Sequence, residues 1–187
     1  KTVAEFIAWA KAQPDGVTAA NSGINSGGHL SAQLFAKRTG IKVLHVPYKG
    51  SAETANAVMT GEVVFQMTSP TEVLTQQAKL GRVRFLGVAS KERSPLAPDL
   101  PTISETVPGF VNAGWFGLLA PAGTPTEVVQ KTSAAFGVAM ADREVRERFI
   151  QLYMEPAYLD PQAFTKDVED SIEFWKTLVK ELGLQAS

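Results

Sequence analysis

The stretch NSGINSGGHL, residues 21–30, decides the fold class because it lies between a short apolar segment and an amphipathic one. It contains three glycines and four small polar residues. An ordered glycine loses more conformational entropy than any other residue, so this concentration indicates that the fold needs bare backbone here. The preceding VTAANS is typical of a strand, and the following HLSAQLFAKRTG predicts a helix that ends at Gly40. We therefore predict a strand, a glycine-rich turn and a helix.

Helices and strands alternate with short links over about the first ninety residues. The predicted helices are KTVAEFIAWAKAQ, HLSAQLFAKRTG, SAETANAVMTG and SPTEVLTQQAKLG, and the predicted strands are VTAANS, IKVLHVPY, EVVFQM and RVRFLGVAS. In the last of these helices, Ser69 is predicted as the N-cap, with Pro70 at the first helical position. This alternation is typical of βαβ units and predicts an α/β fold with a mostly parallel sheet.

The second half of the chain has a different pattern. We expect a surface loop with one helical turn in KERSPLAPDLPTISETVPGF, a strand in AGWFGLLAP, and then three consecutive helices. The first of these helices is predicted to start with a capping box at Thr124 and with Pro125 at the first helical position. The third is predicted to start after Asp160 as its N-cap. Three helices without strands indicate a separate region, with a boundary near residues 117–121.

The composition excludes several classes of function. The 187 residues are 44% hydrophobic and 20% charged, which is ordinary for a folded domain. A net charge of -1 gives no basic surplus that would point to nucleic acid or an anionic membrane. The chain has no cysteine, which excludes disulfides and a thiol nucleophile, and no apolar run reaches the ~20 residues of a membrane-spanning helix. Because the first residue is Lys1 and no signal peptide is visible, we expect a processed, trimmed or partial chain.

The glycine-rich turn has the geometry of an anion site. The first N–H groups of a helix lack internal partners and carry the positive end of its dipole, and Ser22, Asn25 and Ser26 can add donors. The string GINSGGH nearly matches a phosphate loop, but His29 replaces the lysine and Leu30 replaces the hydroxyl residue that binds magnesium. Nucleotide binding is therefore disfavoured. Two alternatives stay open. The chain could be an enzyme that binds a phosphorylated substrate, or the turn could simply cap the helix and bind no ligand.

No catalytic or metal-binding constellation is visible. His29 falls in the first turn of a helix, where a cation is disfavoured, so we expect a neutral imidazole bonded to nearby backbone. His45 falls in an apolar strand and is expected to be a hydrogen-bonded core residue. Trp115 and Phe116 are expected to pack in a core, with a wall that stacks on a ligand as the alternative. We predict no catalytic residue, no metal and no cofactor, which favours a binding protein over an enzyme.

Four segments in fixed order resemble the Bug or TctC family of extracytoplasmic solute-binding proteins from tripartite tricarboxylate transporters. They are NSGINSGGHLSAQLF, HVPYKGSAETANAVMTGEV, GVASKERSPLAPDLPTISE and GWFGLLAPAGTP, and the resemblance covers essentially the whole chain. It implies a type II periplasmic-binding-protein-like α/β fold, with one complete lobe and the C-terminal helical part of the other. Residues 1–117 would be the second lobe and residues 118–187 the helices of the first. Family members are longer, so we expect a truncated chain.

The resemblance also implies a function and a site. The chain would be a periplasmic component for uptake of a small carboxylate, a di- or tricarboxylate or an aromatic acid, and it would work with membrane transporter subunits. A carboxylate sensor in signalling stays open. The ligand-facing residues implied are Ser22, Gly23, Asn25, Ser26, Gly27, Tyr48, Lys49, Gly50, Thr68 and Ser69.

Two departures from the family pattern refine these expectations. Asn25 stands where members often have glycine, and asparagine tolerates the left-handed conformation. Thr68 stands where many members have an aspartate that can pair with an ammonium group, so we expect a ligand without one. Apolar surface meant for the absent segment could be covered by dimerisation.

Overall fold

A computed structural model describes residues 1–183 of the chain. The chain divides into two compact units, one from Lys1 to Gly114 and one that begins at Trp115. The boundary thus lies a few residues before the 117–121 segment expected from the sequence. The assignment of the two regions to lobes of a larger receptor stays a prediction.

The first unit is built around a parallel sheet of three strands in the order β2–β1–β3. The strands are β1 (Val17–Asn21), β2 (Val43–Pro47) and β3 (Phe65–Gln66). Ala19 on the central strand is paired with His45 on one side and Phe65 on the other, so these three side chains share one face of the sheet. The predicted α/β class with parallel strands is confirmed.

Four α-helices and one short 3₁₀-helix belong to this unit. They are α1 (Val3–Lys11), α2 (Gly27–Thr39), α3 (Ser51–Thr60), α4 (Glu72–Lys79) and the 3₁₀-helix Ile103–Glu105. Helix α2 begins where the Ser26 hydroxyl accepts a hydrogen bond from the His29 N–H at 3.3 Å, and it ends at Gly40 with φ 73°. The predicted glycine turn and the helix that follows it are both present.

Helices α2 and α3 cover opposite faces of the sheet, because α2 leads from β1 to its neighbour β2, whereas α3 leads back in the opposite direction from β2 to β3. On one face, the Phe35 ring of α2 packs near Phe6, Phe65 and the fully buried Phe110. On the other face, Ala20, Ala57 and Val63 form a small buried cluster. These two aliphatic and aromatic cores fix the carboxyl ends of the strands on which the candidate site is built.

Three expectations for this unit are corrected. Strand β3 has only two residues, and RVRFLGVAS forms no strand beyond a single bridge between Val88 and Thr102. The neighbouring Pro101 has no N–H with which to extend that ladder. Helix α4 begins after Thr71, whose hydroxyl accepts from the Leu74 N–H at 3.3 Å, and not after Ser69. Residues 67–70 therefore remain outside any helix.

The described part of the second unit, up to residue 183, contains three helices, α5 (Thr126–Ala141), α6 (Arg143–Gln151) and α7 (Pro161–Leu182). Helix α7 starts as predicted, because an Asp160 oxygen accepts from the N–H groups of Gln162 and Ala163, each at 2.9 Å. The prediction of a capping box at the start of α5 is wrong. The Thr124 hydroxyl instead donates to the Pro121 carbonyl at 2.8 Å, and the helix begins after Pro125.

The segment AGWFGLLAP is not a strand in the structure. The Trp115 indole N–H donates to the Ser171 hydroxyl at 3.1 Å, and its ring meets that of Phe164 edge to face with centroids 5.0 Å apart. Phe116 is 80% exposed, so the expectation of core packing is wrong for this residue.

Candidate functional site

A polar cavity of about 180 Å³ lies at the carboxyl ends of β1 and β3. Its lining comes from four places that follow each other along the chain: the end of β1, the start of α2, the start of α3, and the segment after β3. The lining residues are Ala20, Asn21, Ser22, Gly28, Ser51, Thr54, Gln66, Met67, Thr68 and Ser69.

The topology explains why the cavity forms at this point. The connection that follows β1 leads to β2 on one side of β1. The connection that follows β2 leads to β3, which pairs with β1 on the other side. In open parallel sheets, this switch in strand order opens a crevice at the carboxyl ends of the strands, and ligands bind there. The first turns of α2 and α3 line the same crevice through Gly28 and Ser51. Helix N-termini favour negative charge, so the crevice is suited to an anion.

The glycine turn, residues 22–28, has a conformation that depends on particular residues. Gly23 has φ 124°, and Asn25 has φ 65°, as expected for an asparagine that replaces glycine in a left-handed position. A Cβ atom at Gly28 would lie 2.5 Å from the Met67 carbonyl oxygen, so only bare backbone fits between α2 and the segment after β3. The glycines thus allow the close approach of two chain segments that form the cavity wall.

Asn21, the last residue of β1, is a site residue that the sequence reasoning missed. It is only 3% exposed, and its side-chain carbonyl accepts from the Gly23 N–H at 3.2 Å. Its amide Nδ2 has no hydrogen-bond partner among the described residues. A buried donor without a partner is destabilising, so it marks a position where a ligand or water can accept a bond. The signal in the sequence was a polar residue that ends an apolar strand directly before the glycine turn.

All the lining residues found within residues 1–183 are uncharged. Hydroxyl and amide groups of residues such as Ser22, Thr54 and Thr68 provide the polar surface, and no guanidinium or ammonium group joins them. An anion in this cavity would be held by neutral donors and helix N-termini. Such a site selects by the placement of donors and does not rely on a charge pair.

The expected site residues fall into three groups. Ser22, Thr68 and Ser69 line the cavity. Gly23, Asn25, Ser26 and Gly27 lie in the turn between two lining residues. Tyr48, Lys49 and Gly50 are not in the lining, although they directly precede the lining residue Ser51. The cavity residues that the sequence did not single out are Ala20, Asn21, Gly28, Ser51, Thr54, Gln66 and Met67.

Two residues of the PYKG turn are engaged elsewhere. The Tyr48 hydroxyl donates to the Glu62 carboxylate at 2.8 Å, and this bond raises the pKa of Tyr48. The Lys49 backbone N–H donates to the Glu53 carboxylate at 3.1 Å. These contacts tie the turn to helix α3 and to the segment that follows it.

Within residues 1–183, no group of three or more His, Cys, Asp and Glu side chains is arranged to hold a metal ion. None of the helices in this described part combines the length and hydropathy that a membrane crossing requires.

Residues 1–184 match the family described as the tripartite tricarboxylate transporter family receptor. The chain belongs to this family. Its members are solute receptors and not enzymes, as predicted. A UPF0065 protein of Cupriavidus necator is 33% identical over 98% of this chain and 56% of its own length. Protein BugT of Bordetella pertussis is 31% identical over 95% of this chain and 55% of its own length. The chain therefore spans a little over half the length of these curated relatives.

Solved structures of similar proteins give the same fold. An R. palustris protein solved with adipate has a TM-score of 0.86 and 32% identity, over 97% of this chain and 61% of that one. The periplasmic binding protein BugD has a TM-score of 0.85 and 32% identity, over 100% of this chain and 63% of the BugD chain. MatC from Rhodopseudomonas palustris with bound malate has a TM-score of 0.77 and 28% identity, over 97% and 62%. The predicted periplasmic-binding-protein-like α/β class is confirmed. The match to 61–63% of these chains is consistent with one lobe plus part of another.

Proposed function

We propose that this chain carries one lobe's share of the ligand site of a periplasmic receptor for small carboxylates. The observation that carries the proposal is the cavity at the ends of β1 and β3, with the buried and unpartnered Asn21 amide in its wall. A carboxylate only accepts hydrogen bonds, and this wall offers donors. The ligand's charge would be stabilised by the N-terminal turns of α2 and α3.

A dicarboxylate is the ligand class that we favour. Two similar structures were solved with adipate and with malate, and both of these are dicarboxylates. The chains solved with adipate and with malate are matched over only 61% and 62% of their length, so we expect one carboxylate to lie in this cavity and the rest of the ligand to reach beyond this unit. For the same reason, we expect the chain by itself to bind weakly.

The ligand would lack an ammonium group. An amino acid needs a carboxylate or several carbonyl groups to hold its ammonium, because a desolvated cation without a partner is strongly unfavourable. Thr68 provides only a hydroxyl, and the cavity lining within the described residues contains no Asp or Glu. We therefore expect glutamate and aspartate to bind more weakly than malate.

The whole receptor would deliver its ligand to the membrane subunits of a tripartite tricarboxylate transporter, in line with the family's description. Closure of two lobes on the ligand would report occupancy to those subunits. The second unit has several exposed apolar side chains, among them Phe116 at 80% and Val138 at 74%. Dimerisation through this surface stays a prediction, and analytical ultracentrifugation of the chain would test it.

A thermal-shift panel tests the proposed function. A ligand that binds only the folded state stabilises it by about 2.7 kcal/mol at a hundredfold excess over its Kd. At concentrations well above the Kd of weak binding, we expect adipate or malate to raise the melting temperature of the chain, and glutamate, aspartate and inorganic phosphate to leave it unchanged. A shift with phosphate alone would favour the phosphate-binding alternative and contradict the proposal. A shift with glutamate as large as that with malate would contradict the expected absence of an ammonium group.

A further inference from the structure

The two histidines of the chain lie together directly beside the glycine turn. His29 is on the first turn of α2 and is 3% exposed, and His45 is on β2. Their rings meet edge to face with centroids 4.6 Å apart. We call them the histidine pair.

His29 holds the turn through one ring nitrogen. Its Nδ1 accepts a hydrogen bond from the Asn25 backbone N–H at 3.2 Å. Asn25 is the residue of the turn whose φ is 65°, a conformation that non-glycine residues rarely adopt. A neutral imidazole can accept at Nδ1, whereas both nitrogens of a protonated imidazole are donors. Protonation would therefore place two N–H groups against each other and remove this hydrogen bond to Asn25.

The surroundings of the pair oppose protonation. Burial lowers the pKa of His29, and burial followed by the charge of His29 lowers the pKa of His45. The Nδ1 of His45 is buried and has no hydrogen-bond partner among the described residues. A proton added there would have no acceptor, and a positive charge on the first turn of α2 is disfavoured by the helix dipole.

The elements packed around the pair contribute no compensating charge. Residues 17–28, which include β1 and the glycine turn, contain no titratable side chain. The segment 66–69, which approaches Gly28, is also uncharged, and His45 is the only titratable residue of β2. The ring in contact with His29 is that of the other histidine, and the charge that lowers the pKa of His45 is that of His29. When one ring gains a proton, the second resists the same change.

We propose that the histidine pair is a proton-sensitive latch, which holds the glycine turn in its binding conformation only while His29 is neutral. His29 is a positioning residue, because it acts on the ligand through Asn25 and the turn. The expected effect on carboxylate binding rests on the proposed function, whereas the effect on the turn itself does not. Below the pKa of the pair, the competent fraction falls up to tenfold for each pH unit, and apparent affinity falls with it.

The first experiment follows the latch in the chain without any ligand. Amide NMR of the ¹⁵N-labelled chain would track the Asn25 N–H during a pH titration, while ring proton shifts report the protonation of His29. We expect both signals to change with the same midpoint, below pH 6.5. An Asn25 amide that stays unchanged while His29 titrates would overturn the proposal. Since no ligand is present, this result is independent of whether the carboxylate proposal holds.

The second experiment uses the substitution His29→Asn, which keeps an acceptor oxygen at the same number of bonds from the backbone but cannot be protonated. Malate affinity of both proteins would be measured between pH 5 and 8. Malate's own carboxyl groups titrate equally in both series, so the ratio of the two affinities isolates the histidine. We expect the ratio of the affinity of the unsubstituted chain to that of His29→Asn to be constant above pH 7. Below pH 7 this ratio should decrease, because only the unsubstituted chain loses affinity through protonation of His29. Identical pH profiles would overturn the latch.

A third variant, His29→Phe, removes the acceptor but keeps a buried ring. It should bind malate weakly at every pH and lose the pH dependence that His29→Asn also lacks. If His29→Phe bound as tightly as the unsubstituted chain at pH 8, the Nδ1 bond would not position the turn. If either variant fails to fold, the ligand-free titration of the unsubstituted chain still decides the proposal.

Discussion

Replacement of Asn21 by aspartate changes one group of the candidate cavity, because a hydrogen-bond donor becomes a negatively charged acceptor. In Asn21→Asp, one carboxylate oxygen still accepts from the Gly23 N–H, so the bond at 3.2 Å that shapes the turn is kept. The other oxygen takes the place of Nδ2, the buried donor without a partner. A bound carboxylate would lose a donor and meet a negative charge instead.

The size of the effect follows from the lost hydrogen bond. A hydrogen bond to a charged group contributes about 1.5–3 kcal/mol, and about 1.4 kcal/mol corresponds to a factor of ten in affinity. The substitution should therefore weaken malate binding about 10- to 150-fold, and repulsion between the two carboxylates adds to that loss. A smaller effect is expected for Asn21→Ser, which removes the donor but introduces no charge.

The assay is an NMR titration with malate at pH about 8, where an aspartate at this position is largely ionised. The control is Asn56→Asp, which makes the same change in charge at an exposed position of α3. We expect the control to bind like the unsubstituted chain. Circular dichroism would confirm that each variant is folded, because a buried carboxylate also lowers stability. Equal affinities for Asn21→Asp and for the control would refute the role of the Asn21 amide.

Three further predictions concern stability. Gly28→Ala places a Cβ 2.5 Å from the backbone oxygen of Met67, so the free energy of unfolding should fall by about 1–3 kcal/mol. Urea denaturation would measure this change, and an unchanged midpoint would contradict the close approach of the two segments. The Arg93 guanidinium donates two hydrogen bonds to the Glu105 carboxylate, at 2.8 and 2.7 Å, and forms an ion pair with it. Chiefly because of these bonds, the pKa of Glu105 is lowered from 4.5 to about 2. Its stabilising contribution is thus fully present above pH 4.5 and is lost as the pH falls toward 2, and Glu105→Gln should flatten the fall in melting temperature over that window; equal slopes would argue against the ion pair. Asp160→Ala removes the N-cap of α7 and should lower the free energy of unfolding by about 1 kcal/mol. Unfolding followed by circular dichroism would compare this variant with the control Asp167→Ala, at an exposed position of the same helix. Equal stability of the two variants would contradict the role of Asp160 as a cap.

Local sequence rules predicted the turn that forms the cavity. The glycine cluster, the Ser26 region and the apolar positions of α2 predicted a strand, a turn and a helix, and each is present. The left-handed conformation of Asn25 was also predictable, because few residues other than glycine adopt it readily. The neutral role of His29 followed from its place on the first turn of a helix, and its Nδ1 does accept a backbone N–H.

Features that depend on distant contacts were not predictable. RVRFLGVAS has the composition of a strand, but a strand also needs a neighbour with free N–H groups, and the proline-containing segment beside it provides a single bridge. The Asn21 amide was missed because its burial depends on how α2 and the segment after β3 close over β1. His45 was expected to be hydrogen-bonded, yet its Nδ1 has no partner in the described residues.

The most direct test is an amide NMR map of the chain during titration with malate. The amides of residues 21–28, 51–54 and 66–69 should shift together with a single dissociation constant, because these segments line one cavity. Shifts confined to other parts of the chain, or a response to inorganic phosphate but to no carboxylate, would contradict the assignment of this cavity as a carboxylate site.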